Sequence, residues 1–266
     1  MSYSPFLQKA LSEASEIATS YFGKTTAIAK EGDNNQVLTE ADLQVGKYIV
    51  TEIEKEFPEH NIIDEEAGVL NKKSDFTWVI DPIDGTSNFA AGTPNYGIII
   101  GLLHLDQPIA GGVALPFFKE ITTAEKEKGA FCSGKKLAVT QESSLLSSLV
   151  AYAIDGHQEN ANMTYDECKI LADIVLGIRN LRASGSIVDG MMVAKGKYGA
   201  YLNRTSKIWD NVGQHIIIEE AGGVYTDFFG KPMDYSNPFG KAKQNFTWCI
   251  GSPTLHKQLQ EIIHST

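Results

Sequence analysis

The segment of residues 78–88 constrains the fold of this chain more than any other, because it joins a strand, a turn and a helix start within a short stretch. Its apolar beginning predicts a buried strand. Pro82 is expected to end that strand, since proline has no N–H for a sheet ladder. Residues 85–87 (Gly-Thr-Ser) predict the start of a helix, where free backbone N–H groups attract anions. Two carboxylates, Asp81 and Asp84, lie between the strand and the helix.

Two carboxylates beside an anion-attracting turn are the groups that a divalent cation and a phosphate require together. An acidic turn in which Asp84 caps a helix is the simpler alternative, and this segment alone leaves both open. Further acids follow apolar runs elsewhere in the chain. Residues 64–66 (Asp-Glu-Glu) lie upstream, and Trp209-Asp210 lies downstream, followed by residues 220–223 (Glu-Ala-Gly-Gly). Their recurrence favours a polar site assembled from several parts of the chain.

Taken together, these three motifs resemble the inositol monophosphatase family of magnesium-dependent, lithium-sensitive phosphomonoesterases. The resemblance runs from about residue 5 to about residue 255, in the family's order and spacing. It implies an α/β (α+β) fold, a layered α-β-α-β-α sandwich of the inositol monophosphatase and sugar phosphatase type. Two halves are expected, an N-terminal α+β half (1–145) with most metal ligands and a C-terminal α/β half (146–266) with Asp210 and a substrate-recognition turn.

The resemblance also implies a metal site built from oxygen ligands. It assigns Glu65, Asp81 and the carbonyl of Ile83 to a first cation, and Asp81, Asp84 and Asp210 to a second. Glu65 would also help to hold a weaker third ion through water. The implied cofactor is Mg²⁺, two or three ions per site, with Mn²⁺ as a substitute and Li⁺ as an inhibitor.

The nucleophile implied by the resemblance is a metal-activated water that Thr86 and Asp42 orient, with Glu65 completing the catalytic set. A Gly-x-Ser-x-Gly nucleophile motif is absent from the sequence. For Asp42 an alternative stays open, because an acid three residues after Thr39 is also typical of a helix cap. The backbone amides of Gly85 and Thr86 are expected to hold phosphate oxygens, and Asp84 is expected to contact the substrate.

Substrate choice is where the sequence departs from the family pattern. Asn203 stands where inositol-specific members carry a glutamate that binds ring hydroxyls, and Lys207 stands where a histidine is frequent. Residues 184–186 (Ser184, Gly185, Ser186) match the family's substrate turn, in a register that the sequence leaves open. Lys30 lies near a lysine of the family's mobile N-terminal loop, and a solvated loop lysine is the alternative.

Several functions therefore stay open within and beyond this class. The favoured one is hydrolysis of a small phosphorylated alcohol, as by inositol-1-monophosphatase. Histidinol phosphate, a sugar bisphosphate and a 3′(2′),5′-bisphosphate nucleotide are alternative substrates for the same site. A non-catalytic regulatory binding protein is the alternative of another class, and a homodimer is expected from the family alone.

The composition of the 266-residue chain supports a globular protein with a small-molecule partner. The net charge of −10 argues against nucleic-acid binding, which needs a basic surface. No apolar stretch predicts a membrane span, and the N-terminus shows no signal-peptide pattern. The three cysteines lie far apart in sequence, form no zinc spacing and cannot all pair with each other, so a reducing, cytoplasmic location is expected.

Overall fold

Helices and strands alternate irregularly along the chain, as the sequence pattern predicts. The structure, a computed structural model, describes residues 2–26, 28–30 and 33–266. Its helices are α1 (Ser4–Tyr21), α2 (Glu40–Glu56), α3 (Thr86–Ala90), α4 (Ala161–Gly177), α5 (Ile187–Ala194), α6 (Ile208–Glu220) and α7 (Pro253–Ser265). Its strands are β1 (Ile28–Lys30), β2 (Asp33–Leu38), β3 (Asn61–Asp64), β4 (Gly68–Leu70), β5 (Phe76–Asp84), β6 (Gly97–His104), β7 (Gln107–Leu115), β8 (Glu120–Glu125), β9 (Gly129–Cys132), β10 (Lys135–Lys136), β11 (Leu149–Ala153), β12 (Asn180–Arg182), β13 (Ala200–Ser206), β14 (Val224–Thr226) and β15 (Phe246–Gly251).

Two large sheets organise these strands. The first has the order β10-β9-β8-β7-β6-β5-β3-β4 and is antiparallel except for the parallel pair β3–β5. The sequence predicts such a largely antiparallel sheet, because strand patterns follow each other between about residues 60 and 125 without regular alternation of helices. The second has the order β12-β11-β13-β15-β14, with β12, β11 and β13 parallel to each other. Strands β1 and β2 form a separate antiparallel hairpin.

The helices complete five layers, which confirms the predicted sandwich. The first sheet is covered by helices on both faces because side chains alternate along its strands. In β5, Trp78 and Ile80 pack with α1 and α2, whereas Val79 packs on the opposite face with residues of α6. Helix α6 lies between the two sheets beside α5, and α4 and α7 cover the outer face of the second sheet. Helix α6 lies so close to the first sheet that a Cβ at Gly101 would come within 2.6 Å of the Gly213 nitrogen.

The two predicted halves correspond to the two sheets but share helix α6. The first sheet ends at Lys136 and the second begins at Leu149. Because α6 contributes buried residues to the cores on both of its sides, the C-terminal half takes part in covering the N-terminal sheet. The division at 145/146 stays a prediction.

The expectation that Pro82 ends its strand was wrong. Strand β5 continues to Asp84, and its pairing with β6 is interrupted between Asp81 and Asp84 and resumes at Asp84 opposite Gly97. Proline fits there because an irregular position of the ladder requires no N–H from it. Asp81 and Asp84 lie on either side of this irregularity, towards the C-terminal end of the strand. The short strands β4, β9, β10 and β12 were also missing from the sequence prediction.

The start of α1 is tied to β8 by one buried carboxylate, Glu125. Its Oε1 accepts hydrogen bonds from Ser2 Oγ (2.5 Å), Tyr3 N (3.0 Å) and Ser4 N (2.8 Å), and Lys128 Nζ donates to Oε2 (2.5 Å). Burial raises the pKa of Glu125, but these hydrogen bonds outweigh burial and lower the pKa from 4.5 to about 2. Glu125 therefore stabilises the fold in its ionised form.

We expect Glu125→Gln to lower the free energy of unfolding by about 1–3 kcal/mol at pH 7, since hydrogen bonds to a charged acceptor are lost. Because the folded pKa is lowered, the wild-type contribution is complete above about pH 4.5 and is lost as the pH falls through about 2. Urea unfolding at several pH values measures the difference. Glu127→Gln, at an exposed position of the next turn, is the control and should change stability by less than about 0.5 kcal/mol. Equal effects of both changes at pH 7 would contradict this role of Glu125.

Candidate active site

A cavity of about 360 Å³ opens where the end of β5 meets the starts of α3, α5 and α6. It brings together residues that lie far apart in sequence. The predicted site residues that line it are Glu65, Asp81, Ile83, Asp84, Gly85, Thr86, Ser184, Gly185, Ser186, Asn203, Lys207 and Asp210. Of the other two predicted residues, Asp42 reaches the cavity through Thr86, and the side chain of Lys30 lies outside the described part of the structure.

Three aspartates converge at this cavity. Asp81 and Asp84 come from the irregular end of β5, and Asp210 comes from the first turn of α6. One oxygen from each lies within 4.8 Å of the others. Glu65 lines the same cavity, and its backbone N–H donates to the Ile80 carbonyl (3.2 Å) in the neighbouring strand β5. The parallel pairing of β3 and β5 therefore brings Glu65 beside the aspartates.

The concentration of negative charge perturbs these carboxylates strongly. Burial raises the pKa of Asp81 well above its usual value, and the charges of Glu65, Asp84 and Asp210 raise it further. Burial and the charge of Asp210 raise the pKa of Asp84 in the same way, against a hydrogen bond from the Ile187 N–H that favours the ionised form. A bound cation would relieve this repulsion.

The donor set fits a hard divalent cation. Asp81 is 2% exposed, and its Oδ1 is buried without a hydrogen-bond partner among the residues that the structure describes. An unpartnered buried carboxylate oxygen is unfavourable unless a cation or another donor reaches it. With Asp84 and Asp210 it offers only oxygen ligands, which suit Mg²⁺ or Mn²⁺ better than softer metals.

Asp42 makes two contacts at once, and one of them is the predicted helix cap. Its Oδ2 accepts from Thr39 N (2.8 Å) and Thr39 Oγ1 (2.6 Å), which is the helix cap of α2. Its Oδ1 lies 3.2 Å from Thr86 Oγ1. The Thr86 hydroxyl also lies 2.8 Å from the Ile83 carbonyl oxygen, and its single proton can serve only one of these acceptors at a time.

Gly85 lies between the end of β5 and the start of α3, and its missing side chain permits the turn at 184–186 to approach closely. Its φ of 80° is in the left-handed region that favours glycine. A Cβ there would come within 2.8 Å of the Asn95 carbonyl oxygen and 2.9 Å of Ser186 Cβ. The Gly85-Thr86 segment therefore reaches the cavity with its backbone uncovered by a side chain at position 85.

The turn at 184–186, which the sequence analysis predicts to contact the substrate, is held in part by two residues absent from that prediction, Asp189 and Asn88. Asp189, which is 1% exposed, accepts from the Ser184 N–H (2.8 Å), and Asn88 Nδ2 donates to the Ser184 carbonyl (2.8 Å). Asp84 accepts from the N–H of Ile187. A signal for Asp189 was present, because Ser186 followed three residues later by an acid is typical of a helix N-cap.

Part of the cavity wall is built from β13 and the residues that follow it. Asn203 Oδ1 accepts from the Thr205 N–H (2.7 Å), so its amide offers Nδ2 as the remaining donor. Lys207 Nζ donates to the Lys243 carbonyl (3.2 Å). The other lining residues were absent from the sequence prediction; they are Ser87, Asn88, Ala153, Ile154, Asp155, Tyr201, Thr205, Ser206, Trp209 and Trp248. Among the described residues, the structure contains no helix with the length and apolarity needed to cross a membrane.

Comparison with known proteins agrees with this architecture. A sequence profile of the inositol monophosphatase family matches residues 2–265. The chain is 35% identical to inositol monophosphatase 1 of Homo sapiens over 206 residues, or 74% of this chain and 73% of that protein. It is 34% identical over 184 residues to a protein of Aquifex aeolicus named fructose-1,6-bisphosphatase/inositol-1-monophosphatase, which is 69% of each.

Solved structures share the fold over nearly the whole chain. The IMPase of Thermotoga maritima superposes with a TM-score of 0.86 at 27% identity, covering 100% of this chain and 98% of that one. A structure described as an IMPase/NADP phosphatase complexed with Mg²⁺ and phosphate has a TM-score of 0.82 at 22% identity, covering 99% and 95%. The second likeness concerns the fold alone.

Proposed function

Because the chain belongs to the inositol monophosphatase family of phosphoric monoester hydrolases, we propose that it is a Mg²⁺-dependent phosphatase of a small phosphorylated alcohol. The observation that carries this proposal is the cluster of Asp81, Asp84 and Asp210 at a cavity beside the start of α3. Three converging carboxylates give this chain a place for cations. The adjoining backbone N–H groups give it a place for a phosphate.

We propose that Asp81, Asp84 and Asp210 hold the cations, together with Glu65 and the carbonyl of Ile83. When bound, the cations would neutralise charge that develops on the phosphoryl oxygens and would lower the pKa of an attacking water. Two ions, with a third held more weakly through Glu65, are proposed from the family pattern. Inhibition by Li⁺ is proposed on the same ground.

Thr86 and Asp42 are proposed to orient the attacking water. A hydroxyl that donates its proton to Asp42 Oδ1 keeps its lone pairs free to accept a hydrogen bond from that water. A cation held by the Ile83 carbonyl would compete with the Thr86 hydroxyl for that oxygen, which leaves Asp42 as the hydroxyl's acceptor. The second oxygen of Asp42 is fixed by Thr39, so the carboxylate has one orientation.

The remaining residues of the cavity are proposed to bind the two parts of the ester. The backbone amides of Gly85 and Thr86 would hold phosphate oxygens, and Asp84 would contact the same end of the substrate. Ser184, Gly185, Ser186, Asn203 and Lys207 would contact the leaving alcohol. Asn203 presents a donor where inositol-binding members present a carboxylate, so alcohols with an acceptor group are candidates beside inositol. The contact of Lys30, a homodimeric state and a cytoplasmic location stay proposals from the family pattern and the composition.

Phosphate release should require a divalent cation. We expect activity to vanish with excess EDTA, to return with Mg²⁺ and in part with Mn²⁺, and to fall with Li⁺. The assay uses inositol 1-phosphate, histidinol phosphate, fructose 1,6-bisphosphate and adenosine 3′,5′-bisphosphate, so that it also ranks the candidate alcohols. Full turnover in EDTA would contradict the metal-dependent mechanism. Release from none of these esters with Mg²⁺ present would favour the regulatory binding protein.

A further inference from the structure

A chain of hydrogen bonds, buried at its Tyr225 end and partly buried at its Asp210 end, leads from Tyr225, in β14, to the carboxylate of Asp210. The Tyr225 hydroxyl donates to Asn211 Oδ1 (2.9 Å). Asn211 Nδ2 donates to the backbone carbonyl of Lys207 (2.6 Å). The Lys207 N–H donates to Asp210 Oδ2 (2.5 Å). The backbone of Lys207 is therefore held from one side by Asn211 and holds Asp210 on the other.

A second branch of the same network fixes the turn before α6. Asn211 Nδ2 also lies 3.0 Å from Ser206 Oγ, which donates to the Phe246 carbonyl in β15 (2.9 Å). The turn at Ser206–Lys207 is thus attached both to the second sheet and to the helix that follows it. Both attachments act on the segment from which Asp210 is presented.

The Tyr225 end of the network is buried, and the direction of its hydrogen bonds is defined. Asn211 is 0% exposed and Tyr225 is 4% exposed, and Gln214 Nε2 donates to the Tyr225 hydroxyl (3.0 Å). Burial raises the pKa of Tyr225 well above its usual value, so the phenol keeps its proton and donates it to Asn211. Apolar residues of the same shape could fill such a position at little loss of stability. The Asn211 amide differs from an apolar side chain in that its hydrogen bond fixes the position of the Lys207 backbone.

We propose that Asn211 and Tyr225 are positioning residues for the metal ligand Asp210. They hold the Lys207 backbone so that its N–H fixes one oxygen of Asp210, and the carboxylate then presents its other oxygen to the cation in one orientation. Groups that contact a metal ligand directly, as the Lys207 N–H contacts Asp210, typically contribute about 10–100-fold to metal affinity or activity. Asn211 and Tyr225 act through that N–H, so this range is the upper bound of their effect. The inference rests on the proposed metal role of Asp210.

The chain offers a matched control in Tyr235. Its hydroxyl lies 2.9 Å from Nδ1 of His215, which is also on α6, and Tyr235 is 2% exposed. Tyr225→Phe and Tyr235→Phe therefore each remove one buried hydroxyl that contacts a side chain of the same helix. Only Tyr225 is linked through Asn211 and Lys207 to Asp210.

The test measures the Mg²⁺ dissociation constant of each variant by titration calorimetry without substrate. The Tm of each metal-free variant is measured in parallel. We expect both Tyr→Phe variants to lower the Tm, and Tyr225→Phe to lower it at least as much, because its hydroxyl contacts both Asn211 and Gln214 whereas that of Tyr235 contacts His215. Tyr225→Phe alone should raise the Mg²⁺ dissociation constant, by about 3–10-fold, and Asn211→Leu should raise it by about 10–100-fold. Phosphate release by Tyr225→Phe should need correspondingly more Mg²⁺ and should recover when Mg²⁺ is saturating.

Two outcomes would separate this inference from the proposed function. If wild-type protein binds Mg²⁺ and Tyr225→Phe binds it equally well, or if Tyr235→Phe weakens binding by the same factor, the positioning role is wrong and the metal site stands. If wild-type protein binds no Mg²⁺, the metal role of Asp210 is wrong and the inference is wrong with it. Because Tyr225→Phe removes a single oxygen, the comparison stands even if Asn211→Leu fails to fold.

Discussion

Replacing Asp81 by asparagine is expected to lower kcat/KM for phosphate release by about 10³-fold. Asp81 is proposed to contact both cations, and its carboxylate is the most buried of the three aspartates. Cations at such a site stabilise the transition state by several kcal/mol, and each loss of about 1.4 kcal/mol lowers the rate about tenfold. The measurement is kcat/KM at a series of Mg²⁺ concentrations, because a weakened site is partly recovered by excess cation.

Glu65→Gln is the matched comparison for Asp81→Asn. It removes a carboxylate of the same cavity that is proposed to contact one cation, so its effect on kcat/KM should be smaller. In EDTA the Tm of Asp81→Asn should equal or exceed that of wild type, since the change removes one of several repelling carboxylates. Near-normal kcat/KM of Asp81→Asn, or a larger loss with Glu65→Gln, would show that the proposed contact of Asp81 with both cations is wrong.

The second large effect is expected for Thr86→Ala. Its kcat should fall by about 10²–10⁴-fold, the usual range for a positioned group that assists proton transfer. The Mg²⁺ dissociation constant should change little, because the hydroxyl is proposed to contact the water and Asp42. Calorimetry with Mg²⁺, beside single-turnover phosphate release, separates the two effects.

Two variants control for the hydroxyl and its position. Thr86→Ser keeps the Oγ and should restore most of the activity. Ser87→Ala removes the neighbouring hydroxyl of the same cavity and should leave kcat within about tenfold of wild type, since Ser87 has no assigned proton-transfer role. If weaker Mg²⁺ binding were the whole defect of Thr86→Ala, the residue would act as a metal ligand instead.

Much of the secondary structure followed from local pattern. Apolar residues at helical spacing after Pro5 and after Thr39 predict helices that match α1 and α2, and apolar runs near 77–81, 96–105 and 109–116 predict strands that match β5, β6 and β7. The short strands β4 and β10 escaped prediction because two or three residues carry too little periodicity to be distinguished from a turn. The end of β5 was predicted too early because proline is tolerated at an irregular position of a strand, where no ladder N–H is needed.

The sequence by itself determined the chemistry of the aspartate cluster. Asp81, Ile83, Asp84, Gly85 and Thr86 are covalent near-neighbours, so one strand end and one turn bring them together wherever the segment folds. The long, family-like motifs then identified the partners Glu65 and Asp210. Such groups are recognisable in sequence because their chemistry requires particular residue types at short, fixed spacings.

Only the tertiary structure decided how these groups are held. Asn88 and Ser184 meet although ninety-six positions separate them, and Tyr225 contacts Asn211 because β14 packs beside α6. Hydrogen bonds of this kind depend on how the sheets and helices pack, which local propensity does not encode. The residues of the aspartate cluster were therefore readable from the chain, whereas the residues that contact them through distant hydrogen bonds became visible only once those segments were packed and buried together.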